Sequence, residues 1–458
     1  MRRFWTALLI AAALAAAGFV VFRQRSPAWT SDSPEALAEF RRGLDAEMKY
    51  YHQEALAHYR RAAELDPDFA MATVKALAFT PRSEKEEVER LKAALVEIDT
   101  SRLTPRERLL VEFRTARQAK ENSKAQRLLE AYLAERPDDP YVLSIQCDRL
   151  WDRRDWAAAE QCNRKLIKAD PNWVRAQNHL GYLAMAQGKF AEAEELFRTY
   201  LYVAPDQANP HDSMGELLTL VGRYAEAEKE LEEAVRIKPD FCASWHHLLD
   251  NAFLEGKPEK AAAIVGRVEE LEACDRPIID ALACRAGLWS ALQGGDLEAA
   301  WGAAQSPRCP QGRGEVPVLV HRIALLTGHL AEADEMEAMV RKEAELHKDE
   351  PFYPAFLAHL RGLRQMVTGQ VEEAATSFRE ADERLVYWGD GQGIFKLFNR
   401  LDLAHALAAA GDQETSAEVR AEIQQVNPHF FARFQDHALG RLHAGRAEIA
   451  RRASGGGP

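Results

Sequence analysis

The sequence predicts an all-α solenoid, an array of stacked helix–turn–helix units, from three observations. Marker residues recur 34 positions apart within 174–241, so that Gly181 returns as Gly215 and Ala193 as Ala227. Each copy also carries two segments whose apolar residues are spaced three and four positions apart, the pattern of an amphipathic helix. Prolines close the units at the same interval, at Pro137, Pro171, Pro205 and Pro239. A period of this length is typical of stacked repeats, because a single unit cannot bury its own apolar face.

One unit shows why these residue types recur. Residues 175–187 and 190–203 are its two predicted helices, and a short turn that contains glycine joins them. Gly181 on the first helix lets the second helix approach closely, while Phe197 fills the wider gap beside it. We therefore expect the two helices of a unit to cross at Gly181, and at Gly215 in the next unit.

This unit resembles the tetratricopeptide repeat. The residues that carry the resemblance are Leu180, Gly181, Gly188, Phe190, Ala193, Phe197 and Pro205. The match is to a motif of the whole family and not to one of its proteins. It implies a right-handed α-solenoid whose concave groove binds a peptide or a protein partner.

Composition narrows the function classes. At 458 residues, of which 47% are hydrophobic, the chain has enough apolar content for a continuous core along a long array, which excludes a disordered protein. The formal net charge of −12 disfavours a nucleic-acid binder, because such a protein needs a basic face for phosphates. We expect no nucleic-acid partner.

Residues 1–25 predict a membrane anchor. An apolar run from Phe4 to Phe22 lies between pairs of arginines. As a helix it would be about 28 Å long, close to the thickness of a hydrocarbon core. A cleaved signal peptide is the alternative, because 15–17 are small alanine residues suited to cleavage. The apolar run continues beyond that site, which favours a single-pass anchor.

The side of the membrane on which the repeats lie is predicted only from the charge of the α-amino group. Arginines flank both ends of the apolar run, so the usual charge rule is nearly balanced, and the α-amino group favours an inside amino-terminus. We therefore expect extracytoplasmic, periplasmic repeats. A secreted chain and repeats on the cytoplasmic face are the alternatives.

The chain has six cysteines, at Cys147, Cys162, Cys242, Cys274, Cys284 and Cys309. They form no Cys-x-x-Cys pair, so zinc-ribbon spacing is absent. An even number permits disulfides outside the cytoplasm, and Cys147 and Cys162 would lie on facing helices of one unit. The interpretation that we favour from the sequence is that these two are free, small core residues.

The repeat register divides the chain into segments. A linker at 26–35 leads into repeats at 36–275, among which 70–105 is a degenerate unit. Residues 276–428 read as divergent helical repeats that pack on the first half. Residues 429–458 are predicted to form a capping helix and a disordered tail. The unbroken register predicts one continuous superhelix rather than separate domains.

Two features superficially suggest chemistry. Gly389–Gly393 is rich in glycine, but it lacks the preceding strand and the ending of a phosphate-binding loop, so a mobile connection between repeats is the better interpretation. His246 and Asp250 are spaced to share a metal, but no third ligand follows at motif spacing. We identify no nucleophile with a base and expect neither catalysis nor a cofactor.

The candidate binding face comes from the first helix of each repeat. The second, fifth and ninth positions share one side of that helix, and in the family that side lines the groove. We predict groove residues at Tyr141, Asp148, Trp151, Asn178, Tyr182, Asn209, Asp212, Glu216, His246 and Asp250. Stacking places acidic residues in a row interrupted by Tyr182. We hypothesise a partner segment that carries Lys or Arg; the alternative is a set of ordinary solvated positions.

Two function classes follow. The first is a non-catalytic interaction scaffold tethered to a membrane, and its layout is similar to that of bacterial envelope-assembly proteins of this family. The second is a regulatory module that acts with a separately encoded kinase, cyclase or transcription factor. The segment from Leu103 to Leu110 resembles repeats found beside such domains.

Overall fold

The structure is a computed structural model, and it describes residues 29–309, 315–347, 352–389 and 391–434. All regular secondary structure in these ranges is helical, which confirms the all-α prediction. None of the helices in these ranges is long and apolar enough to cross a membrane. The predicted anchor at 1–25 lies outside the described residues, and so do residues 435–458 of the predicted cap and tail.

The described residues from 29 to 149 form one compact unit. Its helices pair as hairpins, with a short 3-10 turn at Thr100–Arg102. Thr104 is the N-cap of the helix Pro105–Gln118 and forms a capping box. Its side chain accepts a hydrogen bond from the Glu107 backbone amide, and the Glu107 carboxylate accepts one from the Thr104 backbone amide. The helices are α1 (Pro34–Met48), α2 (His52–Leu65), α3 (Ala70–Phe79), α4 (Lys85–Glu97), α5 (Pro105–Gln118), α6 (Asn122–Glu135) and the greater part of α7 (Pro140–Asp152).

Part of the predicted 26–35 linker is packed on this unit. Trp29 is buried, with its ring centroid 5.2 Å from those of Phe40 and Tyr141. The backbone amide of Thr30 donates to the Glu107 carboxylate at 2.6 Å. Within the predicted linker, Trp29 and Thr30 are therefore packed on the unit and are not free. The sequence indicated a linker because most residues around Trp29 are polar, and that pattern did not predict that the Trp29 side chain packs on the helices.

The described residues from 150 to 434 form the second compact unit. Its helices are α8 (Trp156–Ala169), α9 (Val174–Ala186), α10 (Phe190–Val203), α11 (Ala208–Leu220), α12 (Tyr224–Ile237), α13 (Cys242–Glu255), α14 (Pro258–Glu270), α15 (Arg276–Gln293), α16 (Leu297–Ala304), α17 (Glu315–Thr327), α18 (Leu330–Leu346), α19 (Phe352–Thr368), α20 (Val371–Arg384), α21 (Gln392–Ala409), α22 (Gln413–Val426) and α23 (Phe430–Phe434).

The hairpins close where a glycine on the first helix meets a large side chain on the second. A Cβ on Gly181 would lie 2.3 Å from Phe197 Cε1, and one on Gly215 would lie 2.4 Å from Leu231 Cγ. Side chains in a close-packed interior do not tolerate such distances. The predicted crossings at Gly181 and Gly215 are confirmed.

The last helices of the second unit pack on its earlier repeats. One apolar core joins α9–α13 to α21–α23 and contains Phe253, Phe398 and Phe430. Asn427 also donates to the Leu220 carbonyl at 3.0 Å. It lies against Gly222, whose φ of +81° and lack of a side chain permit this contact. The array therefore folds back on itself within this unit.

All six cysteines, each in a described part of the chain, are disulfide-bonded. The structure pairs Cys242 with Cys274 and Cys284 with Cys309, with Cα atoms 5.8 and 4.9 Å apart. The prediction that Cys147 and Cys162 are free core thiols is wrong, because both are disulfide-bonded. Closely packed helices bring small buried residues within disulfide distance, and periodicity alone does not separate the two cases.

Candidate partner-binding groove

Two of the ten predicted groove residues belong to the first unit. Tyr141 is buried beneath Trp29, and Lys75 Nζ lies 5.1 Å from the centre of its ring. Lys75 in turn pairs with Glu47 at 2.7 Å. Burial raises the pKa of Tyr141. Tyr141 is thus a packed residue in this structure, whereas Asp148 is only half-buried.

In the second unit the predicted acidic residues converge on a histidine. His247 Nδ1 lies 2.9 Å from Asp212 Oδ1, and its Nε2 lies 3.4 Å from Glu216 Oε1. Burial opposes the charged ring, but the two carboxylates outweigh burial and hold the pKa of His247 well above its usual range. The hydroxyl of Tyr182 donates to Glu216 Oε2 at 2.7 Å. This arrangement neutralises part of the acidic row from within the chain.

The two predicted asparagines join the same buried face. Asn178 Oδ1 accepts from the Ser213 hydroxyl at 2.9 Å, and Asn209 Nδ2 donates to the Tyr200 hydroxyl at 3.2 Å. Both amides are buried. The Asn178 bond joins the first helices α9 and α11, and the Asn209 bond joins α11 to the second helix α10, as expected for buried polar groups.

Arg285 from α15 occupies the end of the acidic row. Its guanidinium pairs with Asp250 and also donates to His246 Nδ1 at 3.2 Å. Burial, together with the Arg285 charge, lowers the pKa of His246 to about 3. The two residues considered as metal ligands therefore face a cation. Among the residues that the structure describes, no group of three His, Cys, Asp or Glu could hold a metal ion.

Aromatic rings line the other end of the groove. Trp151 stacks on His179 with ring centroids 4.4 Å apart. Trp156 makes an edge-to-face contact with Trp151, with ring centroids 6.2 Å apart. Tyr182 completes this set, which we call the aromatic pocket: Trp151, Trp156, His179 and Tyr182. Burial lowers the pKa of His179 to about 3, so that its ring is neutral and stacks as an aromatic surface at pH 7.

Trp388, from the connection between α20 and α21, fills the aromatic pocket. Its ring centroid lies 4.4 Å from that of Trp151, 4.8 Å from Trp156 and 6.2 Å from Tyr182. The sequence predicted Gly389–Gly393 to connect repeats; in the structure Gly389 precedes α21, whereas Gln392 and Gly393 are its first residues. The sequence did not predict that Trp388 enters the groove. The available signal was the pair of aromatic residues that precedes the glycines.

A family comparison agrees with this helical geometry. Residues 184–252 match the family model described as tetratricopeptide repeat. The match assigns the tetratricopeptide repeat to this segment. A search among curated proteins found no match.

Three solved structures illustrate what the chain is similar to. One is a tetratricopeptide repeat protein from Parabacteroides merdae, with 12% identity, a TM-score of 0.41, and coverage of 64% of this chain and 98% of that chain. A second is PilF of Pseudomonas aeruginosa, with 18% identity, a TM-score of 0.29, and coverage of 52% and 91%. A third is the APC/C Cut9–Hcn1 hetero-tetramer, with 14% identity, a TM-score of 0.44, and coverage of 85% and 76%.

A cavity lies among α13, α15, α17, α19 and α21. Its volume is about 50 Å³, and its lining includes Phe253, Trp289 and Arg322. His359 Nε2 accepts from Arg322 at 3.1 Å, and its Nδ1 donates to Asn399 at 2.9 Å. This volume suits a few water molecules, whereas cofactor sites are several times larger. The groove is therefore the stronger candidate for binding.

Proposed function

We propose that this protein is a non-catalytic interaction scaffold that lies outside the cytoplasm and is tethered by residues 1–25. The observation that carries the proposal is the tetratricopeptide segment at 184–252, whose successive first helices align side chains along one face. Repeats of this kind are typical of scaffolds that bind a protein or peptide, and a stacked array offers an extended concave surface for it. Envelope assembly is the setting that we propose for this activity.

The disulfides support the compartment. Such bonds persist in the periplasm and outside the cell, whereas cytoplasmic thiols are kept reduced. Cys242–Cys274 and Cys284–Cys309 both join neighbouring parts of the helical array. Together with the apolar run near the amino-terminus, they favour extracytoplasmic repeats over repeats on the cytoplasmic face.

The charge of the groove supports a partner segment that carries Lys or Arg. Asp250 already binds the guanidinium of Arg285, so a carboxylate of this row accepts a cation in a geometry that the chain itself uses. The half-buried Asp148 adds a carboxylate on a first helix of the first unit. Acidic rows of this kind steer a basic segment and fix its register.

The test is capture of a partner by the full-length chain, followed by mass spectrometry of the crosslinked product. Asp148→Asn should weaken capture at low salt, and the effect should shrink as salt rises because the attraction is screened. Glu195→Gln, an exposed change on α10, is the control. Capture that is equal for Asp148→Asn and the control, at every salt concentration, would contradict the basic partner. A crosslinked kinase, cyclase or transcription factor would favour a regulatory module instead.

A further inference from the structure

Trp388 is held differently from the core aromatic residues of the same unit. Trp245, a core residue of α13, is 1% exposed and its indole donates to the Pro239 carbonyl. Trp388 lies on a connection between helices, is only partly buried, and is held by rings of the repeats. Its position is that of a ligand side chain in a pocket.

The described residues on either side of Trp388 form a compact turn. The backbone hydrogen bonds that the structure describes for it stay within the segment, from Trp388 to Val386 at 2.9 Å and from Gly393 to Trp388 at 3.0 Å. Its shape is therefore maintained largely by itself. Contact with the repeats comes mainly from side-chain packing.

Gly389 places this turn against the acidic row. A Cβ on Gly389 would lie 2.9 Å from the Tyr182 ring and 3.1 Å from Glu216 Oε2. Only a residue without a side chain fits there without a shift of its neighbours. The groove thus accommodates Trp388 together with a following residue that has no side chain.

We propose that the aromatic pocket is the anchor site for a partner segment with a tryptophan followed by glycine, and that Trp388 is an internal occupant which the partner replaces. This inference rests on the proposed scaffold function and specifies its recognition chemistry. The pocket offers aromatic faces on which a tryptophan can stack, and little side-chain entropy is lost because these rings are already packed. In many recognition sites a few such aromatic anchors dominate the affinity.

Competition between Trp388 and the partner segment determines how much the apparent affinity of that segment changes. A tethered occupant is present at a high effective concentration, so a free segment meets an open pocket in only a fraction of molecules. The apparent dissociation constant rises by the reciprocal of that fraction. An occupant in place about nine-tenths of the time weakens binding of a free segment about tenfold.

The experiment uses the full-length protein and a fluorescein-labelled synthetic peptide with the sequence of residues 384–394. Fluorescence anisotropy should show at least about tenfold tighter binding to Trp388→Ala than to the natural chain. The same peptide with alanine in place of its tryptophan should lose this binding. Trp388→Ala combined with Trp156→Ala should also lose it, because one wall of the pocket is removed.

Gly389→Ala provides a second variant that retains Trp388. Its added Cβ meets Tyr182 and Glu216, so it should loosen the internal segment and tighten peptide binding in the same direction as Trp388→Ala. Circular dichroism checks that each variant retains its helical content. Equal peptide affinity in the natural chain and in both folded variants overturns the inference, and so does binding that persists without the tryptophan of the peptide.

Two further outcomes separate this inference from the proposed function. If the peptide behaves as expected while Asp148→Asn leaves partner capture unchanged, the aromatic anchor stands and the basic partner fails. If peptide affinity is unchanged while Asp148→Asn weakens capture, the scaffold stands and the anchor fails. A natural dimer that the peptide dissociates, measured by light scattering after size exclusion, assigns the pocket to a second copy and overturns the proposed partner.

Discussion

Replacing Gly181 by leucine tests the packing of the repeats directly. The first added carbon alone would lie 2.3 Å from Phe197 Cε1 and within 3.0 Å of two more atoms of that ring. The helices must separate or the ring must leave its rotamer, which costs about 1–3 kcal/mol in a packed core. The change is measured as the free energy of unfolding in urea, followed by circular dichroism.

Gly266→Leu is the matched control for this prediction. Gly266 is exposed on α14, and a Cβ there meets nothing within 4 Å. Leucine should leave stability unchanged or raise it by up to about 1 kcal/mol through its higher helix propensity.

A double variant locates the clash. On a Phe197→Ala background, Gly181→Leu should cost at least about 1 kcal/mol less than it does alone, because the ring it meets is gone. Equal costs on the two backgrounds, or a Gly181→Leu protein as stable as the natural chain, would refute this account of the crossing.

Three further predictions concern charge, crosslinks and the membrane. The pKa of His247 is raised in the folded protein, so its stabilising contribution is complete below the unfolded value of about 6.5 and is lost as pH rises through the folded pKa. The difference in unfolding free energy between the natural chain and His247→Gln should therefore shrink as pH rises above about 6.5. A difference that stays constant with pH would contradict the arrangement. Replacing Cys242 and Cys274 together by serine should cost about 3–4 kcal/mol, since the pair closes a separation of 32 residues, and unchanged urea unfolding would argue against this bond. The full chain should remain with membranes after a carbonate wash while a chain that begins at Ser26 is released; a mature amino-terminus near Gly18 would show cleavage instead.

Local regularities predicted the helical pairs well. The glycine at Gly181 and the aromatic residue at Phe197 lie sixteen positions apart, within one hairpin, and they contact each other as the pattern requires. Gly362 and Phe378, in the divergent half, repeat that spacing and that contact. Helical periodicity is informative here because both partners belong to one short segment.

The occupants of the groove could not be predicted in the same way. Trp388 lies more than 200 positions from Tyr182 along the chain, and periodicity shows which face of a helix is apolar but not which distant segment covers it. Arg285 likewise comes from a divergent helix whose register gave no sign that it meets Asp250. Pairing of the cysteines was missed because a small buried residue and a disulfide have the same pattern.

The central claim, that the groove of the tetratricopeptide repeats is a binding site closed by Trp388, is tested most directly by ¹⁹F NMR of the full-length protein with fluorinated tryptophan. The Trp388 resonance is assigned from its loss in Trp388→Phe. On addition of the unlabelled 384–394 peptide, this resonance should move to the position of a solvent-exposed indole as the internal segment leaves the pocket. Saturation of the protein with peptide while the Trp388 resonance stays unchanged would contradict the claim.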